Sequence, residues 1–176
     1  RRIAWRGEEG AVIERAGQWP LGVLMDKLRF VTVEGFEIRG FTSSGIELRE
    51  CSDVVLRGNR IHSGYAQRLT QRKPYIGQRG VYLDRCRRVR LERNTIFWNS
   101  HNIYDRLSQD CVFDHNTVID SVYSGLMIAG SGKGHTITNN LMVHNGNSQM
   151  RVTRAPEFKR CDYNDWRKAD RGSKCI

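Results

Sequence analysis

Short segments in which apolar and polar residues alternate recur along the whole chain. The clearest has the form apolar-x-apolar-x-x-Asn-x-apolar, and one copy runs from Val89 to Ile96. The Asn position of successive copies falls at residues 36, 59, 94, 116, 140 and 164, and only the first copy has Phe there. Alternation with a period of two residues is typical of a β-strand, and no copy keeps helical spacing over successive turns.

Between these copies lies a second motif, in which a small or polar residue precedes apolar-x-apolar. Its copies begin at Gly22, Gly45, Gly80, Asn102, Gly125 and Gln149. In both motifs successive copies are 22 to 24 residues apart, except for one shared interval of 35 residues. Two motifs with one period predict a repeat of three short strands joined by tight turns. Such a repeat buries its apolar side only by stacking on its neighbours, as in a solenoid.

The recurrent Asn supports the same conclusion. A buried turn must satisfy its backbone polar groups, and an amide side chain supplies both a donor and an acceptor. We therefore expect Asn94, Asn116 and Asn140 to lie one above the next and to bond to the neighbouring turns.

Over residues 1–166 these repeats resemble the right-handed parallel β-helix repeats of the pectate-lyase-like superfamily. The resemblance implies an all-β, single-stranded parallel β-helix of about six to seven rungs, where a rung is one full turn of the solenoid. We expect one domain over 1–176, with a basic loop insertion at 64–79 and a C-terminal tail at 167–176. Because the ends of a stack expose strand edges, we expect a piece of a longer β-helix, or ends covered by missing flanks or a partner. The oligomeric state is left open.

The charge of the chain bears on its partners. The 29 Lys and Arg residues outnumber the 19 Asp and Glu residues, which gives a net charge of +10. Such a surface attracts polyanions. No apolar run reaches the roughly 18 residues of a membrane span, so a membrane partner is not expected. Nucleic acid is an unlikely partner because the basic residues are scattered over most rungs without a recognised binding motif. Acidic polysaccharide is the predicted partner.

The second motif also predicts an outward-facing column. Its middle residue lies between two inward apolar residues, so it should face solvent. In rung order these residues are Leu24, Glu47, Tyr82, Tyr104, Met127 and Arg151. Two neighbouring tyrosines on a flat parallel sheet form a platform on which sugar rings can stack. The resemblance implies that this face and its bordering loops form a polysaccharide cleft.

Three features place candidate chemistry beside this column. The insertion has no acidic residue and four basic ones, namely Arg68, Arg72, Lys73 and Arg79. Because it leads into the rung of Tyr82, it should overhang the column. Asp105 occupies a position that is apolar in the other copies, and a bare buried carboxylate is costly. We therefore expect Asp105 to turn outward or to pair, with Arg106 as the candidate partner. His101, Tyr104, Asp105 and Arg106 also share one rung.

These groups suit removal of the C5 proton of a uronate. That chemistry needs a cation at the carboxylate, a base, and an acid at the leaving oxygen. The predicted catalytic residues are His101, Tyr104, Asp105 and Arg106. The predicted substrate-binding residues are Glu47, Tyr82, Asp84, Lys73 and Arg151. The base is His101 or a tyrosine of lowered pKa, and the cation is Arg106, Lys73 or Arg151.

The spacing His-x-x-x-Asp-Arg at residues 101–106 is similar to the rung that bears His, Asp and Arg in alginate-type epimerases and lyases. The fuller Asp-Pro-His-Asp signature is absent. We predict a lyase or C5-epimerase of acidic polysaccharide, which the resemblance places outside the cell or in the periplasm. A glycoside hydrolase needs two carboxylates, and Asp84 with Asp105 is the best pair. The alternative is a non-catalytic carbohydrate-binding or structural module of a larger surface or tailspike-like protein.

The five cysteines lack the spacing of a zinc or redox motif. Cys51 and Cys86 follow the second motif at equal distance, so they should lie on adjacent rungs as buried thiols, although a disulfide is sterically conceivable. Cys111 and Cys161 occupy inward positions, and His135 shares the position of Cys111, so we expect His135 to be a hydrogen-bonded core residue. We predict no metal site and no cofactor, with calcium as the one alternative.

Overall fold

The computed structural model describes residues 2–14, 20–62, 78–154 and 157–167, and these residues form three parallel sheets. The chain visits sheet A, sheet B and sheet C in turn on each rung. Each strand pairs in parallel with the equivalent strand of a neighbouring rung, as the alignment of Leu56 with Leu91 illustrates. The predicted all-β parallel β-helix is confirmed, with seven strands in two of the sheets and six in the third.

The twenty strands of the described residues are short. Sheet A contains β1 (Ile3–Arg6), β4 (Val31–Glu34), β7 (Val55–Arg57), β10 (Arg90–Glu92), β13 (Val112–Asp114), β16 (Lys133–Thr138) and β19 (Glu157–Asp162). Sheet B contains β2 (Val12–Glu14), β5 (Glu37–Arg39), β8 (Arg60–His62), β11 (Thr95–Phe97), β14 (Thr117–Ile119), β17 (Leu141–Val143) and β20 (Asp165–Arg167). Sheet C contains β3 (Leu21–Asp26), β6 (Ser44–Arg49), β9 (Arg79–Asp84), β12 (His101–Arg106), β15 (Ser124–Ala129) and β18 (Ser148–Val152).

The corner between sheets A and B has the same backbone bend on successive rungs. One residue with positive φ directly precedes the Asn position, and it is Gly35, Gly58, Arg93, His115, Asn139 or Tyr163. Gly35 and Gly58 adopt this conformation without a Cβ clash, with φ of 78° and 60°. The non-glycine residues pay roughly 1–2 kcal/mol for it, so another interaction must stabilise the corner.

That interaction is a ladder of buried amides, which confirms the predicted stacking of the Asn residues. The Asn116 Oδ1 accepts hydrogen bonds from the Asn94 backbone N and from the Asn94 Nδ2, both at 3.0 Å. The Asn116 Nδ2 donates to the Leu91 carbonyl at 2.8 Å and to the Asn140 Oδ1 at 3.0 Å. Equivalent bonds run from Asn59 at one end to Asn164 at the other. Each amide therefore satisfies its own corner and the one next to it.

The core is a set of apolar columns inside the solenoid. Ile46, Val81, Ile103 and Leu126 are aligned on successive strands of sheet C, and none is exposed to solvent. A rung buries its apolar side against the rungs before and after it, as the repeat length predicts. No helix in the described ranges has the length and apolarity that crossing a membrane would require.

The cysteines lie largely where the sequence predicts. Cys51 and Cys86 are buried on adjacent rungs, and the Arg87 N donates to the Cys51 carbonyl at 2.9 Å. Cys161 is aligned with the buried Ile137, but it is exposed because β19 is the last strand of sheet A. Its predicted burial is therefore wrong. Most of the insertion 64–79 and of the tail 167–176 lies outside the described residues.

The amide ladder gives a direct stability prediction. Asn116→Ala leaves the Asn94 N–H without an acceptor in the core, and we expect it to lower the free energy of unfolding by about 2–4 kcal/mol. Asn147→Ala removes an exposed amide instead and should change it by less than about 0.5 kcal/mol. Urea denaturation of both variants measures the difference. Equal stabilities would contradict a stabilising role for the ladder.

Candidate functional site

The outer face of sheet C carries the predicted column. The strand register aligns Leu24 with Glu47, then Glu47 with Tyr82 and Tyr82 with Tyr104. It continues from Tyr104 to Met127 and from Met127 to Arg151. The six residues thus follow one another along the solenoid axis, which confirms that these positions are vertical neighbours.

His101 begins β12 and lies beside this column. Its ring centroid is 5.3 Å from that of Tyr104 and 5.4 Å from that of Tyr123. The His101 Nδ1 is buried and has no hydrogen-bond partner within the part of the chain that the structure describes. One ring nitrogen is therefore uncommitted, while the rings of Tyr104 and Tyr123 define the orientation of the group.

Arg79 lies at the candidate site, but sequence reasoning did not include it among the site residues. It is aligned with His101 across β9 and β12, and its guanidinium carbon lies 4.3 Å from the Tyr82 ring centroid and 5.0 Å from that of Tyr104. Cation–π contacts of this kind favour Arg over an aromatic face. The sequence did hold a signal, since Arg79 is the last basic residue of the insertion and directly precedes the second motif.

The two tyrosines do not form the flat platform that the sequence predicts. Their centroids are 5.7 Å apart, but the rings meet edge to face at 72°. The Arg79 guanidinium also lies over both rings. Edge-to-face packing suits the aromatic quadrupoles, and it leaves no pair of coplanar faces for sugar stacking.

Electrostatics make His101 a neutral group. Burial lowers its pKa to about 4, and the positive charges of Arg79 and Arg151 act in the same direction. At neutral pH its ring therefore holds one proton and can accept another. Within the described residues neither Arg79 nor Arg151 forms an ion pair with a carboxylate, and the Arg79 guanidinium lies over the rings of Tyr82 and Tyr104.

Arg106 faces outward but is already paired. Its Nη1 lies 3.0 Å and 3.2 Å from the two Asp84 carboxylate oxygens. Burial, followed by the charge of Asp84, raises the pKa of the neighbouring Tyr82. Tyr82 is therefore not the tyrosine of lowered pKa considered as a base. The charges of Asp84 and Arg106 neutralise each other, so the Arg106 cation is already paired within the chain.

Glu47 is a poor substrate contact. It is only 4% exposed, and its Oε1 accepts a hydrogen bond from the Arg49 Nε at 2.7 Å. The carboxylate is thus satisfied within its own strand, and its predicted role in substrate binding is not supported. Lys73, the remaining predicted substrate-binding residue, lies outside the described residues.

The position of Asp105 differs most clearly from the one that the sequence predicts. It points into the core with no exposed surface, because side chains alternate along β12 and its neighbours Tyr104 and Arg106 take the outer face. Its Oδ1 accepts a hydrogen bond from the Ser108 N at 3.3 Å, and it does not pair with Arg106. Burial raises its pKa to about 6. A catalytic role for Asp105 on the outer face is therefore wrong.

The predicted glycosidase pair fails for the same reason. The register sets Asp84 opposite Arg106 and sets Asp105 opposite the buried Leu83. The two carboxylates consequently lie on opposite faces of sheet C. Two carboxylates that flank a glycosidic bond must both reach it, which this arrangement does not allow.

The buried partner of Asp105 is His135. The His135 Nδ1 accepts a hydrogen bond from the Cys111 N at 3.3 Å, so the neutral ring carries its proton on Nε2. That nitrogen lies 3.3 Å from the Asp105 Oδ2, in ion-pair range but poorly aligned for a hydrogen bond. His135 is a buried core residue that accepts a hydrogen bond, as predicted.

Oxygen, sulfur and nitrogen atoms of Asp105, Cys111 and His135 lie within 4.8 Å of one another. Sequence reasoning missed this cluster, because the three residues come from two rungs and from different motifs. Since Nε2 is protonated, it has no free lone pair for a metal ion. All three residues are buried in the core.

The fold and this outer face define a parallel β-helix protein. The chain belongs to the family described as the right-handed β-helix region, whose model matches residues 21–165. The predicted right-handed parallel β-helix is thereby confirmed. Among curated proteins, no sequence matches the chain.

Solved structures with the same fold include two mutants of the periplasmic alginate epimerase AlgG. The double mutant has a TM-score of 0.74 and 13% sequence identity, and the match covers 93% of this chain and 38% of that one. The single mutant has a TM-score of 0.76 and 11% identity, with coverages of 93% and 39%. This chain therefore spans less than two-fifths of the length of the structures that it resembles.

The low pKa of His101 can be measured directly. We expect an NMR titration of the His101 ring to give a pKa of about 4. Arg151→Gln removes a nearby positive charge, which favours the protonated ring, so the pKa should move upward toward 6.5. Arg154→Gln is the matched control on an exposed arginine at the end of the same rung and should leave it in place. An unshifted His101 pKa in Arg151→Gln would refute the coupling.

Proposed function

We propose that the outer face of sheet C binds a uronate-containing polysaccharide and removes the C5 proton of one sugar. The observation that carries this proposal is a neutral His101 near two arginines, Arg79 and Arg151, that have no carboxylate partner among the described residues. The similarity in fold to an alginate epimerase supports it. So does the net charge of +10, which favours an acidic polymer.

The first step depends on the two arginines. They bind the sugar carboxylate, and their charge stabilises the negative charge that develops on it as the C5–H bond breaks. His101 accepts the proton on a ring nitrogen. The bound carboxylate also offsets the field of Arg79 and Arg151, which raises the pKa of His101 and makes it a stronger base.

The second step distinguishes two reactions. In a lyase the electron pair forms a C4–C5 double bond, the C4–O bond breaks, and the leaving oxygen takes a proton. In an epimerase a proton returns to C5 from the opposite face. In the lyase reaction the Tyr104 hydroxyl is the proton donor to the leaving oxygen, because its ring lies directly beside His101. An epimerase needs a donor across the sugar ring from His101, so the products decide between the two reactions.

A second candidate is binding without catalysis, as a module of a larger surface or tailspike-like protein. It is favoured by the pairing of Glu47 with Arg49 and of Asp84 with Arg106, which leaves neither carboxylate free to act as a base. Here Arg79 and Arg151 hold carboxylates and no proton moves. For either function we propose a secreted or periplasmic location, in line with the periplasmic epimerase of similar fold.

Proton exchange in D2O tests the proposal. The protein is incubated with polymannuronate, polyguluronate, polygalacturonate and a glycosaminoglycan, and C5 deuteration is followed by NMR. Ultraviolet absorbance of unsaturated sugars identifies a lyase, and changed sugar composition without absorbance identifies an epimerase. His101→Gln should lower kcat/KM by about 100-fold or more, since it removes the base. His144→Gln, which changes an exposed histidine on another corner, should leave kcat/KM unchanged.

The outcomes separate the two candidates. Binding of a polymer that is lost in Arg79→Gln and Arg151→Gln, but is accompanied by neither deuteration nor unsaturated sugars, supports the non-catalytic module. Deuteration that survives His101→Gln contradicts the role of His101. A panel that shows neither binding nor exchange refutes both candidates.

A further inference from the structure

Cys51 and Cys86 are two buried thiols stacked on adjacent rungs at the corner that follows sheet C. Their exposed fractions are 1% and 2%, and both are free in the structure. The bridge between Ser52 and Arg87 fixes the register of this corner, so the two cysteines lie directly one above the other. They belong neither to the outer face of sheet C nor to its proposed chemistry.

The geometry of this pair suits a covalent bond. Adjacent parallel strands lie about 4.8 Å apart, which falls within the Cα separation of about 4.4–6.8 Å that a disulfide needs. The Cys86 Sγ contacts the Leu48 carbonyl at 3.4 Å, so it already points toward the rung of Cys51. The Cys51 Sγ contacts the Arg49 carbonyl of its own rung at 3.3 Å and the Met25 carbonyl at 3.4 Å, so a rotation of this side chain would bring it to Cys86.

The thiolate form of a cysteine is the nucleophile in thiol–disulfide exchange, so one thiol of the pair must lose its proton before it reacts. Both groups are covered in the folded chain, so reaction with an oxidant requires that the rungs have not yet closed over them.

We propose that Cys51 and Cys86 are a modification site that takes a disulfide oxidant during folding and forms a bond between the two rungs. The Cys51 thiolate attacks a disulfide of the form RSSR and releases one RSH as a mixed disulfide forms. The Cys86 sulfur then attacks the Cys51 sulfur and releases the second RSH. The two cysteines lose two protons and two electrons, and RSSR is reduced to two RSH.

The position of the bond indicates which part of the solenoid it would stabilise. The segment from Cys51 to Cys86 begins after β6 and ends after β9, so it contains the insertion 64–79, which makes this one repeat 35 residues long. A longer excursion costs more entropy to close, and a cross-link at its ends removes that cost from the unfolded chain. Arg79 and Tyr82 lie in the same closed segment. Oxidation would therefore stabilise the rung that presents them.

The test refolds the full chain carrying Cys161→Ser and Cys175→Ser, which prevents cross-links through the exposed and terminal thiols. Refolding in a glutathione redox buffer should yield a product that is lighter by two hydrogen atoms. Digestion should release the peptides of Cys51 and Cys86 joined by a disulfide. The melting temperature should exceed that of the reduced protein by about 5–10 °C. Amide hydrogen exchange in β9 should slow on oxidation.

Matched variants make the result specific. Cys86→Ser should abolish the mass change and the rise in melting temperature, whereas Cys111→Ser should preserve both, because Cys111 is a buried thiol outside the pair. Alkylation of both Cys51 and Cys86 after oxidative refolding would overturn the proposal. So would a disulfide that joins either residue to Cys111. All these measurements use the protein without polysaccharide, so they stand apart from the test of the proposed function.

Discussion

The structure depends on the buried amide ladder at the corner between sheets A and B. Every rung must turn there with a residue at positive φ, and turning leaves backbone groups inside the core. Asn94 and Asn116 resolve this because one amide accepts from the rung before it and donates to the rung after it. The amide oxygen and nitrogen reach about one strand spacing, which fixes the vertical distance between rungs as well as their alignment. The columns on the other faces inherit that alignment.

On sheet C, alternation along a single strand separates core chemistry from surface chemistry. Tyr104, Asp105 and Arg106 are consecutive, yet the middle residue lies in the interior and the outer two face solvent. The interior therefore holds a carboxylate beside His135, and the surface holds cations with aromatic rings around them. Each inward residue is covered by the rungs above and below it, so inward side chains stay in the core and do not reach the outer face.

Much of the fold could be predicted from the sequence because its motifs recur at a regular spacing. The Asn positions gave the vertical neighbours, and the outward column from Leu24 to Arg151 followed from the second motif. The site was harder, because side-chain partners are decided across rungs. Asp105 was predicted to pair with Arg106 since the two are adjacent in sequence, but the register puts Arg106 against Asp84. Arg79 was overlooked because its contacts with Tyr82 and Tyr104 depend on how a side chain folds back over the sheet, which no period encodes.

The long interval between Asn59 and Asn94 leaves the ladder undisturbed, because the amides on its two sides still bond to each other at 3.1 Å. Strands β8 and β11 likewise keep the register found elsewhere in sheet B. A solenoid of this kind can thus lengthen one connection while its neighbours stay in place. The corner after β8 is accordingly a point where the architecture tolerates change in chain length. New surface can be acquired there, next to the outer face of sheet C, while the stacking of the rungs stays the same.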